Sequence, residues 1–358
     1  MARRTITADF WRGRRVLVTG HTGFKGAWLC LWLNRLGAYV HGLSLEPPTQ
    51  PNAFSLFGLD GVVSDTIGDI RDRAVVQHQV KHVRPDTVFH LAAQSLVRPS
   101  YSDPVGTFET NVLGSLYLLD AIREMDVDTV LVNVTSDKVY ENKELGEAFT
   151  EDEPFLGADP YSASKGAVEL VAHSYAKSFA SEITIGNARA GNVIGGGDWA
   201  EDRLLPDIIK ALASGSEPII RSPFAVRPWQ HVLDPLYGYL CLAESLHHQE
   251  VKPGEGWNFG PSEEPRTVAQ LADAVCAAWD DDAGWIDASD TGGPREATYL
   301  SLSCVKAKEQ LDWRPKFTFD EAVQWTVDWY RQHYDNRDVH DLALGQIEEF
   351  ERFLEVSQ

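Results

Sequence analysis

The sequence predicts a doubly wound parallel α/β sheet followed by a smaller, discontinuous C-terminal α/β lobe, and three observations predict it. Short β-branched runs alternate with helix-period stretches through the first half of the chain. A glycine-rich turn separates the first strand from the first helix. Beyond residue 190 the texture changes to Gly- and Pro-rich loops between shorter elements. At 358 residues the chain also exceeds the size at which one hydrophobic core stops growing.

Taken in order, RRVLVTG at 14–20 reads as a buried strand, and AWLCLWLNRL reads as a helix that stops at Gly37. AYVHGLSL is strand two, GVVSDTIGDI contains strand three, and RAVVQHQVKHV is a helix leading into the strand TVFHLAA. Val105, Phe108, Val112, Ser115, Leu119 and Ile122 recur at helical steps, and TVLVNVTS supplies another buried strand. A long helix should start at Asp159 as N-cap with Pro160 first, carrying Ala163, Ala167, Leu170, Val171 and Phe179 as its apolar face. EITIGNARA completes about six parallel strands in right-handed βαβ crossovers, a Rossmann-like arrangement. The expected division is 1–190 for a dinucleotide domain that a later strand or helix rejoins, 191–330 mainly for a ligand lobe, and 331–358 for a helical tail.

A formal charge of −21 repels nucleic acid and anionic membrane, since both are polyanions that need clustered Lys and Arg. A small anionic ligand would therefore depend on a few local cations, and Arg203, Arg221 and Arg227 are the candidates. Cys30, Cys241, Cys276 and Cys304 form no CxxC, so neither a metal site nor a disulfide framework is suggested. The basic N-terminus has no apolar core segment and no apolar run is long enough to span a bilayer, which makes cytoplasmic residence the expectation.

Gly20, Gly23 and Gly26 stand in GxxGxxG spacing, where a backbone without Cβ can turn tightly and approach a pyrophosphate at a helix N-terminus. The whole turn, with His21, Thr22, Phe24 and Lys25, is assigned to a dinucleotide. Ser44 takes the ribose-reading position, and no Arg or Lys lies between Val40 and Leu59 to hold a 2′-phosphate, which favours NAD over NADP. Asp69, followed by Ile70, could accept from the adenine amino group or simply cap a helix. Tyr161 and Lys165 form YxxxK on one helical face, where an ammonium can favour phenolate; a solvated surface pair is the plain alternative. Thr135 or Ser136 at the preceding strand end could hydrogen-bond the same substrate hydroxyl.

Glycine turn, hydroxyl-bearing strand end and YxxxK, in that order, resemble the extended short-chain dehydrogenase/reductase superfamily over about residues 14–330. The segment from Val134 to Tyr140 narrows the likeness to sugar-nucleotide 4,6-dehydratases, which place an acid and a base just after the strand end. Most of these carry Asp-Glu; Asp137-Lys138 departs from that and, with GHTGFKG, HLAAQSLVRPSY, RAGNVIGGGDWAEDRLLPD, RPWQHVL and GWNFGP, resembles the CDP-glucose branch. The resemblance implies that Tyr161 takes the sugar 4-hydroxyl proton while NAD takes the C4 hydride. Lys138, kept neutral by burial, would remove the C5 proton, and protonated Asp137 would donate to the departing 6-hydroxyl before hydride returns to C6. A mutually screened ion pair is the alternative for Asp137 and Lys138.

The resemblance also implies further cofactor contacts at Leu91, Ala92, Ala93, Asn111 and Ala190. It assigns Arg227 to the substrate diphosphate with Arg203, Leu204 and Asn192 beside it, Gln94 to the sugar, and Asn258, Glu296 and Tyr299 to the nucleotide or ribose. A homodimer, or a tetramer, built through helices near 105–124 and 160–180 is implied as well, as is a product destined for deoxysugars of surface polysaccharide such as lipopolysaccharide O-antigen. The nearest rivals are a nucleotide-sugar 4-epimerase and a GDP-mannose type dehydratase, with a non-catalytic NAD-sensing regulator further off.

Overall fold

Seven strands pair in parallel to form the central sheet of the computed structural model, which describes residues 6–125, 127–280, 282–289 and 297–356. They are β1 (Arg15–Thr19), β2 (Tyr39–Ser44), β3 (Ser64–Ile67), β4 (Thr87–His90), β5 (Val130–Val134), β6 (Thr184–Ala190) and β7 (Gly256–Phe259), in the order β3-β2-β1-β4-β5-β6-β7. β7 returns from the later chain to lie beside β6, with Gly256 opposite Asn187 and Phe259 opposite Ala190. The order reverses between β1 and β4, and the crevice at such a reversal is where open α/β sheets bind ligands.

Successive strand residues point to opposite faces, so one strand feeds two cores. Val16 and Val18 of β1, with Val130 and Val132 of β5, join a core containing Trp28, Trp32, Trp257 and Trp329. Leu17 and Leu131 join the other core, with Val76, Val80, Leu118 and Ile122. The helices that supply these faces include α1 (Phe24–Arg35), α2 (Arg73–Val83), α3 (Ser115–Arg123), α4 (Pro160–Ser178), α5 (Leu204–Ala213) and α6 (Leu233–His247). They continue with α7 (Val268–Trp279), α8 (Phe319–Tyr334) and α9 (Val339–Val356).

Two local outcomes shape the site. The periodic stretch expected as one helix near 105–122 is broken into a short helix Pro104–Phe108, a π-helical segment Glu109–Gly114, and α3. The C-terminal helix α9 closes over α1: Trp32 Nε1 donates to Glu351 at 2.9 Å, and Arg35 pairs with Glu348 and Glu351. α1 is thereby buried at every residue from Gly26 to Leu33, which explains its uninterrupted apolar sequence. Among the described residues, no helix is long and apolar enough to cross a membrane, and no cluster of His, Cys, Asp and Glu could hold a metal ion.

Candidate active site

A cavity of about 1290 Å³ opens at the carboxyl ends of the strands, walled by the glycine turn, the segment after β5, α4 and the loops beyond β6. Gly20 turns the chain at φ +76°, and a Cβ there would lie 2.7 Å from the Ala92 nitrogen. At Gly26 a Cβ would drive into the Gly20 carbonyl oxygen, so the turn and the helix that follows can pack this closely only with glycine. Gly23 is the N-cap of α1 and no side chain caps that helix; Gly23, Phe24 and Lys25 line the cavity, leaving a helix N-terminus to receive an anion.

The rest of this wall suits a dinucleotide. Ser44 and Thr22 hydrogen-bond each other at 2.8 Å on the cavity wall. Asp69 is gripped by Arg71 at 2.6 Å, and that hydrogen bond holds its carboxyl below the ordinary range, as an ionised acceptor. Arg71 is thereby engaged, although it too faces the cavity. Ile70, Leu91, Ala92, Ala93 and Ala190 supply apolar lining. Lys25 is half-buried on the cavity wall, and desolvation, with Arg203 and Lys165 nearby, pulls its ammonium down to about 7.

Across the cavity stand the groups able to move protons. Asp159 caps α4 by accepting from the Ser162 nitrogen at 2.9 Å, and the helix then presents Tyr161 and Lys165 one turn apart. Lys165 Nζ donates to the Val134 carbonyl at 3.1 Å, and burial lowers its pKa to about 8. The phenol of Tyr161 is pushed up to about 12, with burial the leading cause and a hydrogen bond with Ser136 opposing it. This corrects the expectation that Lys165 lowers the phenol within the protein: here desolvation outweighs the charges around it. The oxidised nicotinamide of NAD carries a positive charge and would act in the required direction.

Ser136 rather than Thr135 is the hydroxyl beside Tyr161, since Thr135 Oγ1 is committed to Glu169 at 2.5 Å. Asp137 and Lys138 follow on a single 3₁₀ turn, Asp137–Val139. Asp137 is buried; its Oδ1 accepts from Ser136 at 3.1 Å and lies 3.6 Å from Lys138 Nζ, while Oδ2 has no partner. The burial expected around Lys138 is partial: its side chain is 21 % exposed and its Nζ faces the Asp137 carboxylate.

Of the residues assigned to the substrate, Gln94, Asn192, Arg203, Leu204 and Arg227 line the cavity. Arg203 pairs with Asp198 at 2.8 Å and reaches Ser95 at 3.3 Å, Arg227 is almost fully buried, and the Asn192 Oδ1 is buried without a partner. Others lie outside the cavity wall. Asn258 is fully buried on β7, accepting from Tyr140 at 2.6 Å and donating to the Phe149 and Ser303 carbonyls, so it braces loops. Tyr299 bridges to Val226 and gives its carbonyl to Asn142. The His21 ring is buried against Gly42 and Phe54, and Asn111 holds the Gln94 backbone and Ser164 from behind the wall. Glu296 lies outside the described residues.

Residues 17–326 match the GDP-mannose 4,6 dehydratase family. The chain belongs to this family. It is 43% identical over 353 residues to a CDP-glucose 4,6-dehydratase of Salmonella typhimurium, covering 96% of this chain and 98% of that protein. It is 31% identical to a dTDP-glucose 4,6-dehydratase of Xanthomonas campestris pv. campestris, over 88% of this chain and 92% of the relative. Among solved structures, a Thermus thermophilus UDP-glucose 4-epimerase in complex with NAD superposes with a TM-score of 0.76 at 29% identity, over 88% of this chain and 99% of that one. A Streptomyces venezuelae dTDP-glucose 4,6-dehydratase shares the fold at a TM-score of 0.76 and 24% identity, over 90% of this chain and 98% of that one.

Within this GDP-mannose 4,6 dehydratase family chain, sequence reasoning missed a buried group behind the acid–base turn. Glu169 on α4 and Arg189 on β6 form an ion pair at 2.6 Å with side chains 1 % and 3 % exposed. The readable signal was Glu169, a charge one helical turn beyond Lys165 on a face otherwise apolar and catalytic.

Proposed function

We propose that this chain removes water from CDP-D-glucose to give CDP-4-dehydro-6-deoxy-D-glucose, as an NAD-dependent hydro-lyase. The glycine turn, Ser44 and the Asp69 carboxylate would hold NAD, which would supply a hydride acceptor at C4 and a hydride donor at C6; every proton movement falls to the protein. Tyr161, steadied by Ser136 with Lys165 one turn along, takes the proton of the 4-hydroxyl. The ketone acidifies C5–H, which Lys138 removes as an amine while Asp137 gives its proton to the leaving 6-hydroxyl; the Lys138 ammonium then returns a proton to C5 as hydride adds at C6. Asp137–COOH beside Lys138–NH₂ has the same net charge as the ion pair, so shifting one proton across 3.6 Å arms both groups.

The observation that carries the reading is the partnerless, buried Asp137 Oδ2 beside Lys138, placed on the same turn as the Ser136 that touches Tyr161. A 4-epimerase needs only the redox pair. Arg203 and Arg227 supply the cations that a nucleoside diphosphate needs inside a chain of charge −21, and residues beyond 190 contribute somewhat less than half of the cavity lining. The 43% identical relative supports CDP-glucose over other nucleotide sugars. Incubation of the protein and NAD with CDP-glucose, UDP-glucose, dTDP-glucose and GDP-mannose should show loss of water by mass with CDP-glucose foremost. No loss of water with any of them contradicts the proposal.

We place the reaction in the cytoplasm, in keeping with four cysteines that form no disulfide. A homodimer is the proposed assembly, supported by exposed Val105, Phe108, Leu113 and Leu170 on the helical faces named above. Sedimentation of the native chain and of Leu170→Glu should give a dimer and a monomer; a native monomer contradicts it.

A further inference from the structure

We propose that the buried Glu169–Arg189 pair is a positioning device that clamps both ends of the acid–base turn and so sets the geometry of elimination. This rests on the dehydratase reading above. The turn begins at Thr135, carries Ser136, Asp137 and Lys138, and ends at Tyr140. Its first residue is tied to the pair, because Thr135 Oγ1 donates to Glu169 Oε1 at 2.5 Å. Its last residue is tied to the same pair, because Arg189 Nη1 donates to the Tyr140 hydroxyl at 2.6 Å. Arg189 then joins the two anchors, donating through Nε to Glu169 Oε1 at 2.8 Å and through Nη2 to Oε2 at 2.6 Å. Thr135, the turn, Tyr140, Arg189 and Glu169 thus form one closed ring of bonds, with the reacting side chains on its middle.

Stability alone explains this ring poorly. A buried ion pair loses hydration that its own attraction barely offsets, and apolar residues of like volume often serve the fold as well or better. The protein nevertheless satisfies the pair thoroughly. The Glu169 carboxylate accepts three hydrogen bonds, and the guanidinium lies over the rings of Tyr140 and Phe155 at 5.1 and 4.8 Å. The Tyr140 hydroxyl passes the restraint on to Asn258 of β7 at 2.6 Å. Tyr161 and Lys165 have separate anchors in the 19-residue helix α4 and the Val134 carbonyl. Loosening the ring therefore strikes Asp137 and Lys138 harder than the redox pair. Thr135, named above as a catalytic candidate, becomes a positioning residue.

Arg189 variants would leave a buried charge alone and risk misfolding, so the test uses Thr135→Val and Tyr140→Phe, each of which removes one hydroxyl and keeps the shape. Full-length proteins, shown folded by thermal melting, are mixed with NAD and CDP-glucose in deuterated water. The expected result is a kcat lower by about 100-fold with KM within about twofold, the loss that a small misplacement of reacting groups causes. Bound reduced nicotinamide should accumulate, since oxidation continues while elimination slows, and deuterium should enter C5 more slowly. Wild-type rates in both variants, or slowing with no accumulation of reduced nicotinamide, overturn the proposal. A wild-type protein that forms no dehydrated product overturns the dehydratase reading and takes this inference with it.

Discussion

The Tyr161 phenol, pushed up to about 12 by burial, is a proton donor at neutral pH and not yet a base. The positive charge of bound NAD is the missing influence, and it acts on a group whose pKa the protein alone has raised. Adding NAD near pH ~8.5 should therefore release protons and produce a phenolate difference absorbance that Tyr161→Phe lacks. Identical difference spectra for the two proteins would mean that another group takes the hydroxyl proton. Which of two adjacent hydroxyls stands beside Tyr161 was open in the sequence, because Thr135 and Ser136 are chemically equivalent there. Packing decides it: Glu169 claims Thr135, and Ser136 is left to Tyr161 and Asp137. Asn258 misled for the same reason, since nothing local to GWNFGP reveals that its side chain is spent on Tyr140 and two loop carbonyls.

α4 carries the redox pair, and its start is fixed by a cap legible in the sequence. Asp159 Oδ1 accepts from the Ser162 nitrogen and Oδ2 from the Ser162 hydroxyl at 2.6 Å, with Pro160 in the first turn. Asp159→Ala should lower stability by about 1 kcal/mol in denaturant unfolding, with KM for the nucleotide sugar changed less than kcat, as the first turn frays under Tyr161. Unchanged stability would show that tertiary packing alone holds this end. The glycine turn and the strand–helix alternation were readable because each rests on local patterns of period two or 3.6. The π-helical segment Glu109–Gly114 was not, since apolar steps of three and four continue through it while one wider turn carries Asn111 toward Gln94.

At the scale of the molecule, α6 ties the segment that leads into α8 to the helix layer on the sheet. Asp234, in the first turn of α6, accepts from the Lys316 nitrogen at 2.7 Å and the Phe317 nitrogen at 3.4 Å, directly before α8. Burial nonetheless pushes its carboxyl up to about 7. An acid whose folded pKa is raised binds its proton more tightly when folded. Stability should therefore fall as pH rises from about 4 to about 7 and stay flat above, by on the order of 4 kcal/mol at most. Asp234→Asn should remove that slope in melts across this range; an unchanged slope would assign it to other groups. The return of β7 to the sheet edge was legible only as an expectation that some later element rejoins, because four residues, GWNF, carry too short a pattern to place. The cavity wall beyond β6 is built from α5 and from loops whose contacts are long-range, so its arginines could be named but not positioned.

The most direct test of elimination by Asp137 and Lys138 is turnover of CDP-glucose with NAD in deuterated water by the native chain and by Lys138→Ala. The native product should carry deuterium at C5. Lys138→Ala should lose about 10²- to 10⁴-fold in kcat, stop exchanging at C5, and still reduce bound nicotinamide. C5 exchange and full turnover persisting in Lys138→Ala would contradict the account.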